Sequence, residues 1–171
     1  MDVVRRGLSA HIEVDMGATE DAASRRPAPH RDMAGHLEGG SRVGNEALVR
    51  AIFDAFARGE GFGLRGLFAE DAVWTVPGRG VMAGVYRGRE EIFRFLGRLP
   101  KETGGTYGSE LRDVLVSEER AAAMYIARGT RRGRSLELEQ VLLFGIEDGL
   151  VREVLALPSD PEVFEEFWAA G

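Results

Sequence analysis

From residue 37 onward the 171-residue chain contains no histidine, and it contains no cysteine anywhere. His11, His30 and His36 all precede that point. A Ser-His-Asp triad, a histidine base, a histidine-held metal and thiolate chemistry are therefore unavailable to the remainder. Proton transfer there falls to Asp, Glu, Tyr or an activated water. Schiff-base chemistry would have to use Lys101, the single lysine, which stands beside Pro100 at a predicted helix end and is set aside. The expected chemistry uses no cofactor and no metal.

Alternation along one predicted strand selects the next candidates. Over residues 134–146, Leu136, Leu138, Gln140, Leu142 and Phe144 share one face, and Glu137 and Glu139 share the other. With the leucine face inward, Gln140 is a lone polar group in a cavity walled by Leu142 and Phe144, and the glutamates face solvent or a subunit partner. With the opposite register, Glu139 is the general base, its pKa raised by desolvation. Tyr86 and Tyr125 are the candidate donors to a ligand oxygen, or else core tyrosines with satisfied hydroxyls. Trp74 and Trp168 read as pocket wall and lid. Arg128, if buried, would hold a substrate carboxylate. Gly61-x-Gly63-x-x-Gly66 matches a dinucleotide fingerprint as text, but it trails an amphipathic helix where the fingerprint leaves a strand, so it reads as an inter-helix turn.

These residues need a scaffold, and the spacing supplies one. Leu48, Ala51, Ile52, Ala55 and Phe56 recur at helical spacing, with Asn45 as the expected N-cap and Gly59 as the expected C-terminal stop. A shorter helix or turn over Leu64 to Phe68 leads into a strand, Ala72 to Val76, that Pro77-Gly78 stops. A return strand spans Val81 to Tyr86, and a helix spans Gly88 to Leu99 with Pro100 ending it. Four long strands follow, over 106–116, 121–129, 134–146 and 150–157, the last two joined by Asp148-Gly149. Asp160-Pro161 then caps a short helix carrying Phe164, Phe167 and Trp168. The order α-α-β-β-α-β-β-β-β-α predicts one α+β domain over residues 45–171.

Residues 1–44 contain no Phe, Trp or Tyr and read as a disordered extension, with a partner-binding arm as the alternative. A formal net charge of −6 argues against nucleic acid as the main partner. The longest apolar run, Ala121 to Ala127, is far too short to span a bilayer, and no apolar segment follows Arg5 and Arg6. The expectation is a cytoplasmic protein with no membrane partner. One lysine among 22 basic residues suggests a GC-rich, bacterial source.

The run Trp74-Thr75-Val76-Pro77-Gly78 followed by Gly84-Val85-Tyr86-Arg87-Gly88-Arg89-Glu90 resembles the SnoaL-like pattern. Thr103-Gly104-Gly105-Thr106, Asp113-Val114-Leu115, Asp148-Gly149 and Asp160 with Phe167-Trp168 extend the resemblance almost to the C-terminus. It implies the nuclear transport factor 2-like fold: a cone-shaped, curved antiparallel sheet packed against three helices, with a short C-terminal helix. It also implies a small hydrophobic ligand in the pocket. Cyclase, isomerase or hydratase chemistry on an oxygenated metabolite is one expectation, and a non-catalytic binding or dimerisation module is the other. The ketosteroid isomerase-like members place a base near Thr75 and Val76 and a protonated Asp near Leu142, and this chain has no carboxylate at either place. A homodimer through the outer sheet face is expected, with Val141, Leu143 and Leu155 exposed on it.

Overall fold

The first helix, α1 (Arg42–Arg58), opens the fold in a computed structural model that describes residues 41–170. Its N-cap is Ser41, whose hydroxyl accepts from Gly44 N at 3.0 Å, and Gly59 closes it at φ 69°. Asn45 was expected to be that cap. It is instead 1% exposed, and its Nδ2 donates to the carbonyls of Ser117 and Glu118 at 3.0 and 2.9 Å. This docking rotates the buried face to Asn45, Val49, Ile52 and Phe53, leaving Ala51 exposed. Each large side chain so buried contributes about 1.5–3 kcal/mol. The extension read over residues 1–44 lies outside the described residues up to position 40, as do all three histidines.

The short helix or turn expected over Leu64 to Phe68 is a 3₁₀ helix over Gly61–Leu67. It feeds β1 (Phe68–Val76), which pairs antiparallel with β2 (Gly84–Arg87). The next helix divides in two, α2 (Arg89–Leu96) and α3 (Arg98–Glu102), with the break at Gly97. Pro100 therefore does not end a helix. It sits in the first turn of α3, where its missing N–H forfeits no intrahelical bond.

Four long strands follow: β3 (Gly108–Val116), β4 (Arg120–Arg131), β5 (Arg134–Glu147) and β6 (Leu150–Pro158). Asp148 and Gly149 turn between the last two at φ 52° and 72°, as an Asp-Gly hairpin requires. The sheet order is β2-β1-β6-β5-β4-β3. Four of the five pairings are antiparallel, while β1 and β6 run parallel, so the curved sheet is mixed. Register shifts between Phe68 and Val73, Leu111 and Asp113, and Gly145 and Ile146 mark bulges, the usual device for bending strands.

Helix α4 (Pro161–Trp168) is capped by Asp160 Oδ1, which accepts from the N–H groups of Glu162 and Val163. Arg131 holds its far end. The Arg131 side chain is 1% exposed, and its Nη1 donates to the carbonyls of Phe167 and Ala169 while Glu102 pairs with its other edge. The Pro77–Gly80 loop closes on the same helix: Val81 N donates to Trp168 O at 2.8 Å. A Cβ at Gly80 would meet that carbonyl oxygen at 2.8 Å, so only glycine permits the approach.

Candidate functional site

The sheet's buried face and the helices packed on it enclose a cavity of about 690 Å³. Exposed residues of its lining include Arg58 and Gly59 at the end of α1, Pro100 in α3 and Gly105 after it. Its wall is aromatic and aliphatic: Phe53 from α1, Trp74 from β1, Phe93 and Leu96 from α2, and Leu142 from β5. A second compartment of about 40 Å³ lies farther in, toward α4, and shares Trp74, Leu96, Leu99, Tyr107, Tyr125 and Leu142 with the first. Gln140 and Trp168 belong to this inner recess.

Packing accounts for the aromatic wall. Trp74 is held between Phe68, stacked at 6.3 Å, and Phe95 at 5.8 Å. Tyr125 meets Phe53 edge-on at 5.3 Å, and Trp168 stands 6.1 Å from Tyr107. Such aromatic contacts fix ring orientation as well as adding about 0.5–1.5 kcal/mol each.

The polar groups form a chain. Tyr125 donates to Gln140 Oε1 at 3.2 Å, and both side chains are buried, 4% and 2% exposed. The Tyr107 hydroxyl lies beside those of Tyr125 and Ser109. Burial pushes both tyrosines above the ordinary value near 10, Tyr125 by much more, with the adjacent Tyr107 adding to its shift. The neighbouring Tyr125 and Ser109 hydroxyls partly offset the effect of burial on Tyr107. Both therefore remain neutral donors at physiological pH. Two further donors, Trp74 Nε1 and Gln140 Nε2, are buried without a partner among the described residues.

Several residues selected from the sequence stand elsewhere. Glu139 is exposed on the opposite face of β5, because the leucine face and Gln140 point inward; the register that would have made it a desolvated base is not the one adopted. Arg128 lies on the outer face of β4 with its side chain 41% exposed, paired with Glu110 and Glu137, and so does not reach the cavity. Tyr86 donates to Met82 O at 2.8 Å and stacks on Phe95 at 4.1 Å, outside both compartments. Phe144 is core, 1% exposed, and also lies outside the cavity wall. Trp74, Gln140, Leu142, Trp168 and Tyr125 are brought together.

Tyr107 was not anticipated. It sits in the connection before β3, where no strand alternation applies, and its backbone N–H is fixed by Thr103 Oγ1 at 3.2 Å. No Asp or Glu lines either compartment among the described residues. Nor do three or more His, Cys, Asp or Glu side chains of those residues cluster where they could hold a metal ion. At the positions where the isomerase-like members carry carboxylates, Val76 lines the recess, Thr75 turns to the outer face, and Leu142 lines both compartments. No helix of the described residues is long and apolar enough to cross a membrane.

Residues 49–154 match the sequence profile of the SnoaL-like domain. An uncharacterised protein of Mycobacterium tuberculosis is 35% identical over 123 residues, which covers 71% of this chain and 94% of that relative. A solved protein from a soil-derived mobile gene cassette superposes with a TM-score of 0.72 at 34% identity, covering 74% of this chain and 98% of that one. A nuclear transport factor 2-like protein of unknown function from Burkholderia pseudomallei has a TM-score of 0.67 over the same shares at 24% identity, a likeness of fold alone. On this profile match and these relatives, the chain belongs to the SnoaL-like domain family, and its fold is nuclear transport factor 2-like.

Proposed function

We propose that this domain binds a small, largely apolar, oxygen-bearing metabolite, and that binding rather than proton abstraction is its primary role. One observation carries the reading: a cavity of about 690 Å³ with an aromatic wall, whose buried polar groups are hydrogen-bond donors and neutral phenols, with no carboxylate among the described lining residues. That volume falls in the range of small-molecule sites, which combine apolar walls with a few placed polar groups. A wall without a base favours holding a ligand over enolising it.

A catalytic reading is favoured by a different feature, the Tyr107–Tyr125 pair. Donors fixed in a dry site stabilise negative charge developing on a carbonyl oxygen, as cyclisation or isomerisation would require. One experiment separates the two. The full chain is titrated with 1-tetralone by calorimetry, and the same mixture in D₂O is followed by proton NMR for exchange at the carbon next to the carbonyl. Saturable one-site binding without accelerated exchange is expected. Exchange above the buffer rate that Tyr107→Phe or Tyr125→Phe removes would favour the enzyme. Absence of binding, or binding untouched by a cavity-filling Ser109→Trp variant, would defeat the pocket assignment.

The assembly we propose is a homodimer through the outer sheet face. Leu115, Ala122, Leu143, Leu155, Thr75 and Val85 pair in register, one from each of the six strands, and form a continuous, mostly apolar row. Leu115, Leu143 and Val85 are 59%, 37% and 49% exposed. An exposed apolar band of this continuity is uncommon on a monomer.

A further inference from the structure

We propose that the exposed part of the cavity lining holds a carboxylate, so that the ligand is an amphipathic acid: an apolar ring body against the aromatic wall, with one carboxylate group at Arg58 and Arg65. The inference rests on the ligand-binding reading above and names the chemical class and orientation of what binds.

The placement of charge sets the orientation. Among the described residues that line the two compartments, only Arg58 and Arg65 are charged. Arg58 ends α1, Arg65 lies in the 3₁₀ helix that follows, and both belong to the outer compartment alone. Their side chains are 59% and 34% exposed, so an anion that meets them keeps part of its hydration. The recess has no cation in its lining, and a carboxylate turned inward would lose water without gaining a counter-charge. The ring body therefore points in and the acid out.

Packing holds one of the two cations against the wall. Arg65 Cζ stands 5.3 Å from the centroid of Phe93, which is itself part of the lining. This contact keeps the guanidinium beside the apolar surface that a bound ring would touch.

Both arginines already pair with glutamates, Arg58 with Glu60 at 3.0 Å and Arg65 with Glu90. Exposed pairs of this kind are worth little net, so a ligand carboxylate can compete for them. Neither glutamate lines the cavity, which leaves the guanidinium groups as the charges it presents. Arg58 engages Glu60 through Nε, and its Nη groups are the donors turned to no other residue among those described. Glu90 is shared. The hydrogen bond from Arg65, and then the charges of Arg65, Arg94 and Arg89, hold its carboxyl below the ordinary value, so three cations surround one anion. Glu60 and Glu90 still repel a second negative charge, which favours a carboxylate over a phosphate, and a planar carboxylate matches the guanidinium fork.

The test compares 2-naphthoate with 2-naphthamide, a neutral counterpart of nearly the same shape, by calorimetry on the full chain. Two exposed ion pairs correspond to about a tenfold preference for the acid at low salt. Screening should bring that preference toward unity in about 1 M salt. Arg58→Gln and Arg65→Gln should each remove a large part of it. Glu60→Gln and Glu90→Gln should do the opposite and raise it, because each removes a competitor for the guanidinium; a merely structural role for these pairs would not strengthen acid binding.

Equal affinity for the acid and the amide overturns this inference while leaving the pocket reading in place. So does a preference for the acid that survives both arginine substitutions, or that neither salt nor the glutamate substitutions change. Acid binding untouched by Ser109→Trp would put the acid outside the cavity and overturn it too. Failure of both probes to bind overturns the inference and the pocket reading together.

Discussion

Replacing Tyr125 by Phe removes the hydroxyl that donates to Gln140 Oε1 at 3.2 Å and leaves the rest of the ring in its packing against Phe53. Gln140 then keeps a buried amide with neither end satisfied, since its Nε2 already has no partner among the described residues. Stranding one buried acceptor costs about 1–3 kcal/mol, and a bond as long as this one belongs in the lower half, about 1–2 kcal/mol. Gln140→Leu should remove the penalty along with the acceptor. The double variant is therefore expected to be more stable than the sum of the two single losses implies, with a coupling of about 1 kcal/mol. Urea unfolding of all four proteins, followed by circular dichroism with the slopes checked for equality, supplies the double-mutant cycle. Tyr86→Phe serves as control: its hydroxyl bonds Met82 O outside the cavity, so its effect should add to that of Tyr125→Phe. Additivity of Tyr125→Phe and Gln140→Leu to within about 0.3–0.5 kcal/mol would refute the buried chain.

Glu102→Gln should destabilise by about 3 kcal/mol, because it leaves the buried Arg131 guanidinium without its counter-charge, and Arg131→Met, which strands the carbonyls of Phe167 and Ala169 beside a part-exposed Glu102, should cost about 1–3 kcal/mol. Equal, small losses in urea unfolding would show that the clamp on α4 is not a buried ion pair of consequence. Stability should hold up to about pH 10 and fall above it, since the unfolded chain releases tyrosine protons that buried Tyr107 and Tyr125, with their raised pKa values, retain. Tyr125→Phe should flatten that alkaline decline in the urea midpoint, and an unchanged slope would contradict the shift. Leu143→Lys, in the centre of the outer row, should leave the fold intact and yield a monomer by light scattering at high micromolar concentration. A wild type already monomeric there would end the dimer proposal.

Local chemistry was legible wherever the deciding partner is near in sequence. Gly59, Asp148-Gly149 and the Asp160 cap do in the fold what their residue types suggest. The β5 alternation was readable too, and only the choice of face needed the tertiary structure, which turns Gln140 inward and Glu139 out. Misreadings cluster where distant contacts decide. Asn45 leaves its capping role for carbonyls more than seventy positions away, which rotates the buried face of α1. The parallel β1–β6 pairing joins the start of the sheet to its end and leaves no local pattern. Tyr86 and Tyr125 look alike in sequence, yet the loop geometry that presents Met82 O to one hydroxyl removes it from the site. Tyr107 escaped notice because its place depends on the Thr103 turn, whose hydroxyl donates to Leu99 O and accepts from Tyr107 N.

The protein has two tryptophans, and both Trp74 and Trp168 line the recess, so its proton–nitrogen NMR spectrum carries two indole signals that report on the site directly. Titrating the ¹⁵N-labelled full chain with 1-tetralone should shift the indole signals in a saturable way, as a ligand beside the rings changes their surroundings. Both indole signals standing still at millimolar ligand would contradict the claim that this cavity is a binding site for an oxygen-bearing molecule.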